Sequence, residues 1–246
     1  MRVLVTGANR GIGAAIASHL VKEGHTVWGT HRGSAVPDGV HGVECDVTEE
    51  ASVRSAIAAA AEALGGIDNL VYTPAIGSVM RLVDTDAETW SRVFATNVTG
   101  AAIATSAAVP HLTESAGKVV YLSSDAGTFG PPWPGLAAYG VSKAALERLI
   151  EAWRAEHPDI GFTNLIVGEC AGGDGDSATG FSTGWDRELT GEFYPQWISR
   201  GCMPGQLMPV EDLVDVVHTI LRTNTSTSMP VVVARGAPAR PSPTGA

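Results

Sequence analysis

Short apolar runs rich in β-branched residues recur along the chain, separated by longer stretches in which apolar side chains return every three to four positions. The short runs read as strands: Arg2–Thr6, Thr26–Thr30, Gly42–Cys45, Asn69–Thr73, Lys118–Ser123, Thr163–Val167 and Pro230–Ala234. Most are continuously apolar rather than alternating, which predicts strands covered on both faces. The longer stretches read as helices. Gly13–Glu23 is predicted helical, with Ile12, Ile16 and Leu20 on one face and Gly24 as its stop. Ser52–Leu64 is Ala-rich and ends at Gly65-Gly66. A long helix is predicted over Thr89–Pro110 and another over Ala138–His157, ended by Pro158. Strands alternating with helices predict an α/β fold, a doubly wound parallel sheet of about seven strands with helices on both faces.

Two segments break the rhythm. Residues 168–205 are rich in Gly, Ser, Thr and Asp and then carry Trp185, Phe193, Tyr194 and Trp197 at irregular spacing. So long an insertion suggests a substrate loop or lid. Residues 238–246 form a Pro/Gly/Ala tail with nothing to bury, expected to be frayed or pinned at an interface. The 246 residues suit a single domain spanning 1–246. A formal charge of −10 disfavours nucleic acid, because binding a polyanion draws on Lys and Arg. Cys45, Cys170 and Cys202 are odd in number, widely spaced and without a Cys-x-x-Cys pair, which suits a reducing compartment and argues against a structural metal. With a strand-like start and no apolar run of membrane-spanning length, the expectation is a soluble, unprocessed, cytoplasmic protein that meets no membrane.

The candidate chemistry begins at Thr6-Gly7-Ala8-Asn9-Arg10-Gly11-Ile12-Gly13. Glycines between a strand and a helix let backbone N–H groups approach a pyrophosphate at the helix N-terminus, the Rossmann-type arrangement. The second strand then bears on the choice of dinucleotide. An NAD site places an acid near its end for the ribose 2′-hydroxyl, whereas this chain reads Thr30-His31-Arg32 with no acid before Asp38. Arg32 and Arg10 are suited to a 2′-phosphate, which predicts NADP (NADPH). Farther along, Tyr139 and Lys143 stand four residues apart on a predicted helix and so share a face. An ammonium there is expected to draw the phenol below its ordinary value of about 10, toward acid–base work near neutral pH.

Together these motifs resemble the short-chain dehydrogenase/reductase family over nearly the whole chain. Cys45-Asp46-Val47 resembles its third-strand end and Asp68-Asn69-Leu70-Val71 its approach to the fourth strand. Thr96-Asn97-Val98-Thr99-Gly100 resembles the helix bearing an Asn of the catalytic tetrad, and Tyr121-Leu122-Ser123-Ser124 the strand end bearing its Ser. The resemblance implies hydride transfer between nicotinamide and a carbonyl or alcohol carbon. Tyr139 would be the general acid/base, Ser124 would bond the substrate oxygen, and Lys143 would hold the ribose. Asn97 would support a water that relays protons. The implied cofactor contacts are Gly7, Asn9, Arg10, Gly11, Ile12, Gly13, His31, Arg32, Asp46, Val47, Thr73 and Ala75, with Tyr139 and Lys143.

Three stretches depart from the family pattern. Tyr72-Thr73-Pro74-Ala75 stands where Asn-Asn-Ala-Gly is usual, Ser124 and Tyr139 are separated by an added Gly130-Pro131-Pro132-Trp133-Pro134-Gly135, and Gly168-Glu169 replaces Pro-Gly. The expected activity is an NADP(H)-dependent carbonyl reductase or alcohol dehydrogenase for a small or medium apolar substrate. The alternatives are an NADP-binding sensor or scaffold with little turnover, or a lyase-type reaction on the same fold. The two long helices resemble those by which family members form homodimers and homotetramers, so a homo-oligomer is expected.

Overall fold

The computed structural model describes residues 1–171, 180–203, 205–224 and 226–238. Strands β1 (Arg2–Thr6), β2 (Thr26–His31), β3 (His41–Glu44), β4 (Asn69–Tyr72), β5 (Lys118–Ser124), β6 (Gly161–Val167) and β7 (Val231–Ala234) form one parallel sheet in the order β3-β2-β1-β4-β5-β6-β7. Every residue of β4 and β5 is buried, which is why their sequences are continuous rather than alternating. The strand order reverses between β1 and β4, so the crevice beyond their carboxyl ends is where such a sheet receives a ligand.

Helices cover both faces, and the two-residue side-chain period of the strands sorts the core between them. Val3 and Val5 face the layer of α1 (Gly11–Lys22) and α7 (Val210–Arg222), packing with Ile16, Leu20, Leu213 and Val217. Leu4 faces the opposite layer, built from α2 (Glu50–Leu64), α4 (Gly100–Ser115) and α5 (Ala137–Glu156), where Ile57, Leu112, Leu146 and Ile150 are all within 2% of complete burial. Each such side chain stabilises the fold by about 2 kcal/mol through water release alone.

Strand boundaries fall within one or two residues of the sequence expectation, the range over which frayed ends ordinarily vary. The helix expected over Thr89–Pro110 is longer: α3 (Ala87–Phe94) joins α4 through a π-helical turn, Ala95–Thr99. Pro110 sits inside rather than at its end. Both Pro110 and Ser106, whose carbonyl it leaves without a helical donor, are exposed, so water can take the missing bond. The run Ala87–Ser115 has the length and composition to cross a membrane, and 44% of its most apolar window is buried inside the fold.

Among the described residues, two α-helices stand outside the sequence expectation. The first, α6 (Arg187–Ser199), lies within segment 168–205 and is started by Asp186, whose carboxylate accepts from Leu189 N at 2.9 Å. The second is α7, whose C-terminus receives the buried Lys118: its Nζ donates to Ile220 O at 3.0 Å and Thr223 Oγ1 at 2.6 Å. An ammonium at a helix C-terminus satisfies orphan carbonyls and favours the dipole. Residues 172–179 and 204 of the expected lid, and 239–246 of the expected tail, lie outside the described residues.

Candidate active site

A cavity of about 1120 Å³ opens over the carboxyl ends of β1, β4 and β5. Its floor is the β1–α1 turn. Gly7 and Gly11 have φ of 69° and 57°, the left-handed region that glycine enters without penalty. Gly13 is a glycine for another reason, since a Cβ there would lie 2.2 Å from Gly7 O and 2.6 Å from Thr73 Oγ1. The turn is tied to β2 by Gly7 N donating to Thr30 Oγ1 at 3.0 Å and Ala8 N to Thr30 O at 2.8 Å. No acidic residue occupies the first turn of α1, leaving its N-terminal N–H groups to an anion. Thr73, in the stretch that stands in place of Asn-Asn-Ala-Gly, donates its hydroxyl to Thr6 O at 2.6 Å and ties the end of β4 to β1.

Tyr139, Lys143 and Ser124 share the inner wall. The buried Lys143 donates from Nζ to Leu122 O at 2.7 Å and stands 5.6 Å from the centre of the Tyr139 ring. Burial lowers its ammonium to about 8, against a weaker opposing pull from Glu147. The expectation of an acidified phenol is overturned. Burial pushes Tyr139 up to about 12; the Ser124 hydroxyl bonded to it pulls back, and the Asp125 carboxylate pushes further up. The ammonium is committed to a backbone carbonyl rather than the phenol, so loss of water around the ring decides the sign.

Asn97 is fully buried in the π-helical turn. Its Oδ1 accepts from Ile76 N, while Nδ2 donates to Ile76 O and to Ser142 Oγ, each at 2.9 Å. Ser142 in turn donates to Tyr139 O at 2.7 Å. Asn97 thus joins the loop after β4 to the first turns of α5, with both amide hydrogens committed to the protein and one lone pair of Oδ1 still open.

The outer wall is aromatic and acidic. Phe181 packs on Tyr139 with ring centres 4.9 Å apart, Trp185 on Phe181 at 5.3 Å, and Trp197 on Trp185 at 6.0 Å. Trp185 Nε1 donates to Gly77 O at 3.0 Å and Trp197 Nε1 to Pro134 O at 2.7 Å, fastening the wall to the body of the fold. Asp125 and Glu169 stand at the ends of β5 and β6. Burial raises both carboxyls, Glu169 to about 7, where Asp125 adds a further push.

Comparison with known proteins agrees with this geometry. The pattern of the family described as short chain dehydrogenase matches residues 1–173. The chain belongs to the short-chain dehydrogenase family. The family is one of oxidoreductases that work with a nicotinamide cofactor. The chain is 37% identical over 166 residues to the 3-oxoacyl-[acyl-carrier-protein] reductase MabA of Mycobacterium avium, covering 67% of this chain and 64% of that protein. It therefore spans a little under two thirds of that relative's length. It is 32% identical over 201 residues to 2-(S)-hydroxypropyl-CoM dehydrogenase 3 of Xanthobacter autotrophicus, covering 77% of this chain and 75% of that protein. Its fold matches an alcohol dehydrogenase from Thermococcus sibiricus, solved with 5-hydroxy-NADP, with a TM-score of 0.77, 21% identity and 97% of both chains covered.

Within this short-chain dehydrogenase, the sequence-predicted residues fall into two groups. Gly7, Asn9, Arg10, Gly11, Ile12, Gly13, His31, Arg32, Val47, Thr73, Ala75, Ser124, Tyr139 and Lys143 all line the one cavity. Asp46 and Asn97 do not. Asp46 lies between the lining Cys45 and Val47, but its Oδ1 accepts from Thr48 N at 2.9 Å and Thr48 Oγ1 at 2.7 Å, and its Oδ2 faces Arg32 at 3.8 Å. Phe193, grouped by sequence with the lid aromatics, packs instead with Val79, Leu136 and Trp197. Phe181, Ser142 and Asp125 are site neighbours that sequence reasoning missed. Only Asp125 had a local signal, as an acid immediately after the candidate Ser124.

Proposed function

We propose that the protein is an NADP(H)-dependent carbonyl reductase or secondary-alcohol dehydrogenase, with residues 1–246 acting as one dinucleotide-binding and catalytic unit and 168–205 as its substrate loop. The observation that carries this reading is the placement of Tyr139, Ser124 and Lys143 on one wall of the cavity whose floor is the Gly7–Gly13 turn. That floor fits a dinucleotide: a Cβ at Gly13 would fill the space that brings the turn against α1, and the helix N-terminus lacks an acid of its own. Bound there, the nicotinamide cofactor would supply the hydride. Arg10 and Arg32, lining the cavity on the side of the turn, support NADP over NAD, since a guanidinium pairs with a phosphate through two charge-assisted bonds. The Thermococcus sibiricus neighbour was solved with an NADP derivative, which supports the same choice.

In this reading Tyr139, held neutral by burial, donates its proton to the oxygen of a carbonyl as negative charge builds there. Ser124 holds that oxygen with a second hydrogen bond. Lys143, charged below about 8, would hold the ribose, and its ammonium near the ring stabilises the phenolate that remains when Tyr139 has given up its proton. Asn97 and Ser142 set the position of Tyr139 without touching substrate. Free thiols at Cys45, Cys170 and Cys202 suit the reducing cytoplasm, and homo-oligomer formation is part of the proposal.

The test is oxidation of NADPH, followed by its near-ultraviolet absorbance, with a panel of ketones and aldehydes. Turnover in the wild type that vanishes in Tyr139→Phe, with calorimetric NADPH affinity kept, supports the proposal. Tight NADPH binding with no turnover on any carbonyl would instead favour a sensor or scaffold.

A further inference from the structure

The cavity is electrically divided. On the turn side stand Arg10 and Arg32; on the side beyond Tyr139 stand Asp125 and Glu169. Asp125 is 7% exposed, held by the hydroxyl of Ser124 and the backbone of Ala126, and its Oδ2 lies 3.4 Å from where a Cβ on Gly168 would be, against the backbone that leads into Glu169. Among the described residues neither acid forms a salt bridge. Arg235, whose charge acts on Asp125, is exposed and lies over the Phe129 ring at 5.5 Å.

Two carboxyls without a salt-bridge partner among the described residues, in a half-closed cavity, set the chemistry of what enters. A wholly apolar occupant would strip their water and give nothing back, and an anionic one would be repelled. The rings that share this side add a second, independent preference. Phe181, Trp185, Trp197, Tyr194 and Trp133 all line the cavity, a density of ring faces that attracts a cation through the ring quadrupole while offering its alkyl groups an apolar contact. Trp185 and Phe181 are pinned over the Tyr139 end by Gly77, whose carbonyl takes the Trp185 indole proton and whose missing Cβ leaves the Phe181 ring its place, 2.9 Å from where that atom would lie. Asp125, whose charge acts on Tyr139, and Phe181, which packs on its ring at 4.9 Å, therefore both neighbour the group proposed to protonate the carbonyl.

We infer that the substrate carries an ammonium group, quaternary or protonated, a short distance from its carbonyl, seated between the Asp125–Glu169 pair and the Phe181–Trp185 rings. This rests on the reductase reading and narrows the expected apolar substrate to one with an apolar body and a cationic head. Glu169 is then the specificity residue that replaces the usual Pro-Gly glycine after β6.

The test compares two ketones of one shape, trimethylammonio-acetone and its neutral isostere 4,4-dimethyl-2-pentanone. Both are titrated calorimetrically into the protein alone and with NADP+, in whose presence a ketone cannot be reduced, and both are assayed with NADPH. The cation is expected to bind and to turn over about 10-fold better, a difference within reach of one ring contact plus one carboxylate. Glu169→Gln and, separately, Phe181→Leu should each shrink that ratio several-fold, while near-ultraviolet circular dichroism reports that both fold. Equal or reversed preference, a ratio untouched by Glu169→Gln, or binding of neither ketone overturns the inference. Absence of any heat with NADP+ or NADPH would sink the cofactor proposal instead, and the ketone ratio in the protein alone still decides this one.

Discussion

Lys143 holds its ammonium 5.6 Å from the centre of the Tyr139 ring and spends its hydrogen bond on the Leu122 carbonyl. The pair is therefore positioned by the end of β5 rather than by contact with each other. Since burial lowers the lysine from 10.5 to about 8, folding disfavours its charged form. The sign follows from linkage: between those values the unfolded chain holds a proton that the folded chain has released, so stability rises with pH there. The cost is full below about 8, amounting to about 3 kcal/mol at neutral pH.

Replacing Lys143 with Met relieves that cost but leaves the Leu122 carbonyl without its donor, a loss of about 1–2 kcal/mol. The expected result is an inactive protein with a higher Tm. A lower Tm on melting would remove this account of the pair. In the wild type, kcat/KM for carbonyl reduction should be level up to about 8 and fall roughly tenfold per pH unit above it, as the ammonium is lost. A profile level well past that value would dissociate Lys143 from proton delivery.

Asn97 and Ser142 connect the loop after β4 to the turn of α5 that carries Tyr139. Asn97→Ala strands the backbone N–H and C=O of Ile76 together with one bond of Ser142, and should cost about 3 kcal/mol of stability. Ser142→Ala breaks only the relay, and is expected to lower kcat about tenfold with little change in NADPH affinity. Should Ser142→Ala leave kcat unaltered, the relay does not position Tyr139.

How far the sequence spoke for the site depends on how local each signal was. The glycine turn and the Tyr139–Lys143 pair are contiguous motifs, and the sheet follows from apolar runs that a doubly covered strand requires. The bonds of Asn97 reach 21 and 45 positions away, so nothing near it in the chain announces them. Phe181 is a lone ring in a stretch of Gly, Ser and Thr, placed by Gly77 and Tyr139 from distant elements. The wrong sign for the phenol has the same origin: helical spacing shows that Lys143 is near, but burial is a property of the closed wall. By contrast α7 carries a plain helical period in Val210, Leu213, Val214, Val217, Ile220 and Leu221, a signal fully present in the local sequence.

Gly13→Ala tests the floor of the cavity. The added methyl would meet Gly7 O at 2.2 Å, and the rigid strand end behind that carbonyl cannot yield cheaply. The variant is expected to lose at least about tenfold in NADPH affinity by calorimetry, along with about 2 kcal/mol of stability. Unchanged affinity would mean that the turn does not receive the phosphates.

Arg32 is 61% exposed and 3.8 Å from Asp46, an attraction too weakly held to fix it in place. Arg32→Ala should therefore scarcely alter Tm, yet weaken NADPH at least about tenfold more than NADH, because only the former has a 2′-phosphate to lose. Equal weakening of both would withdraw the preference for NADP.

Away from the cavity, three imidazoles join α1 to α7: His25 Nε2 is 3.0 Å from His218 Nε2, and His19 Nε2 is 3.4 Å from His218 Nδ1. Such a string needs some nitrogens unprotonated to accept. His25 is lowered below 6.5 by burial and then by the N-terminal ammonium, and His218 by burial and then by His19; Glu23 and Asp215 oppose, and Arg222 adds to the lowering of His218. A depressed folded value means that the unfolded chain takes the protons first, so stability is unaffected above 6.5 and falls as pH drops below it. His218→Gln keeps a hydrogen-bonding side chain that cannot charge. It should flatten the decline of Tm below 6.5, and a decline as steep as in the wild type would show that the imidazole string is not its source.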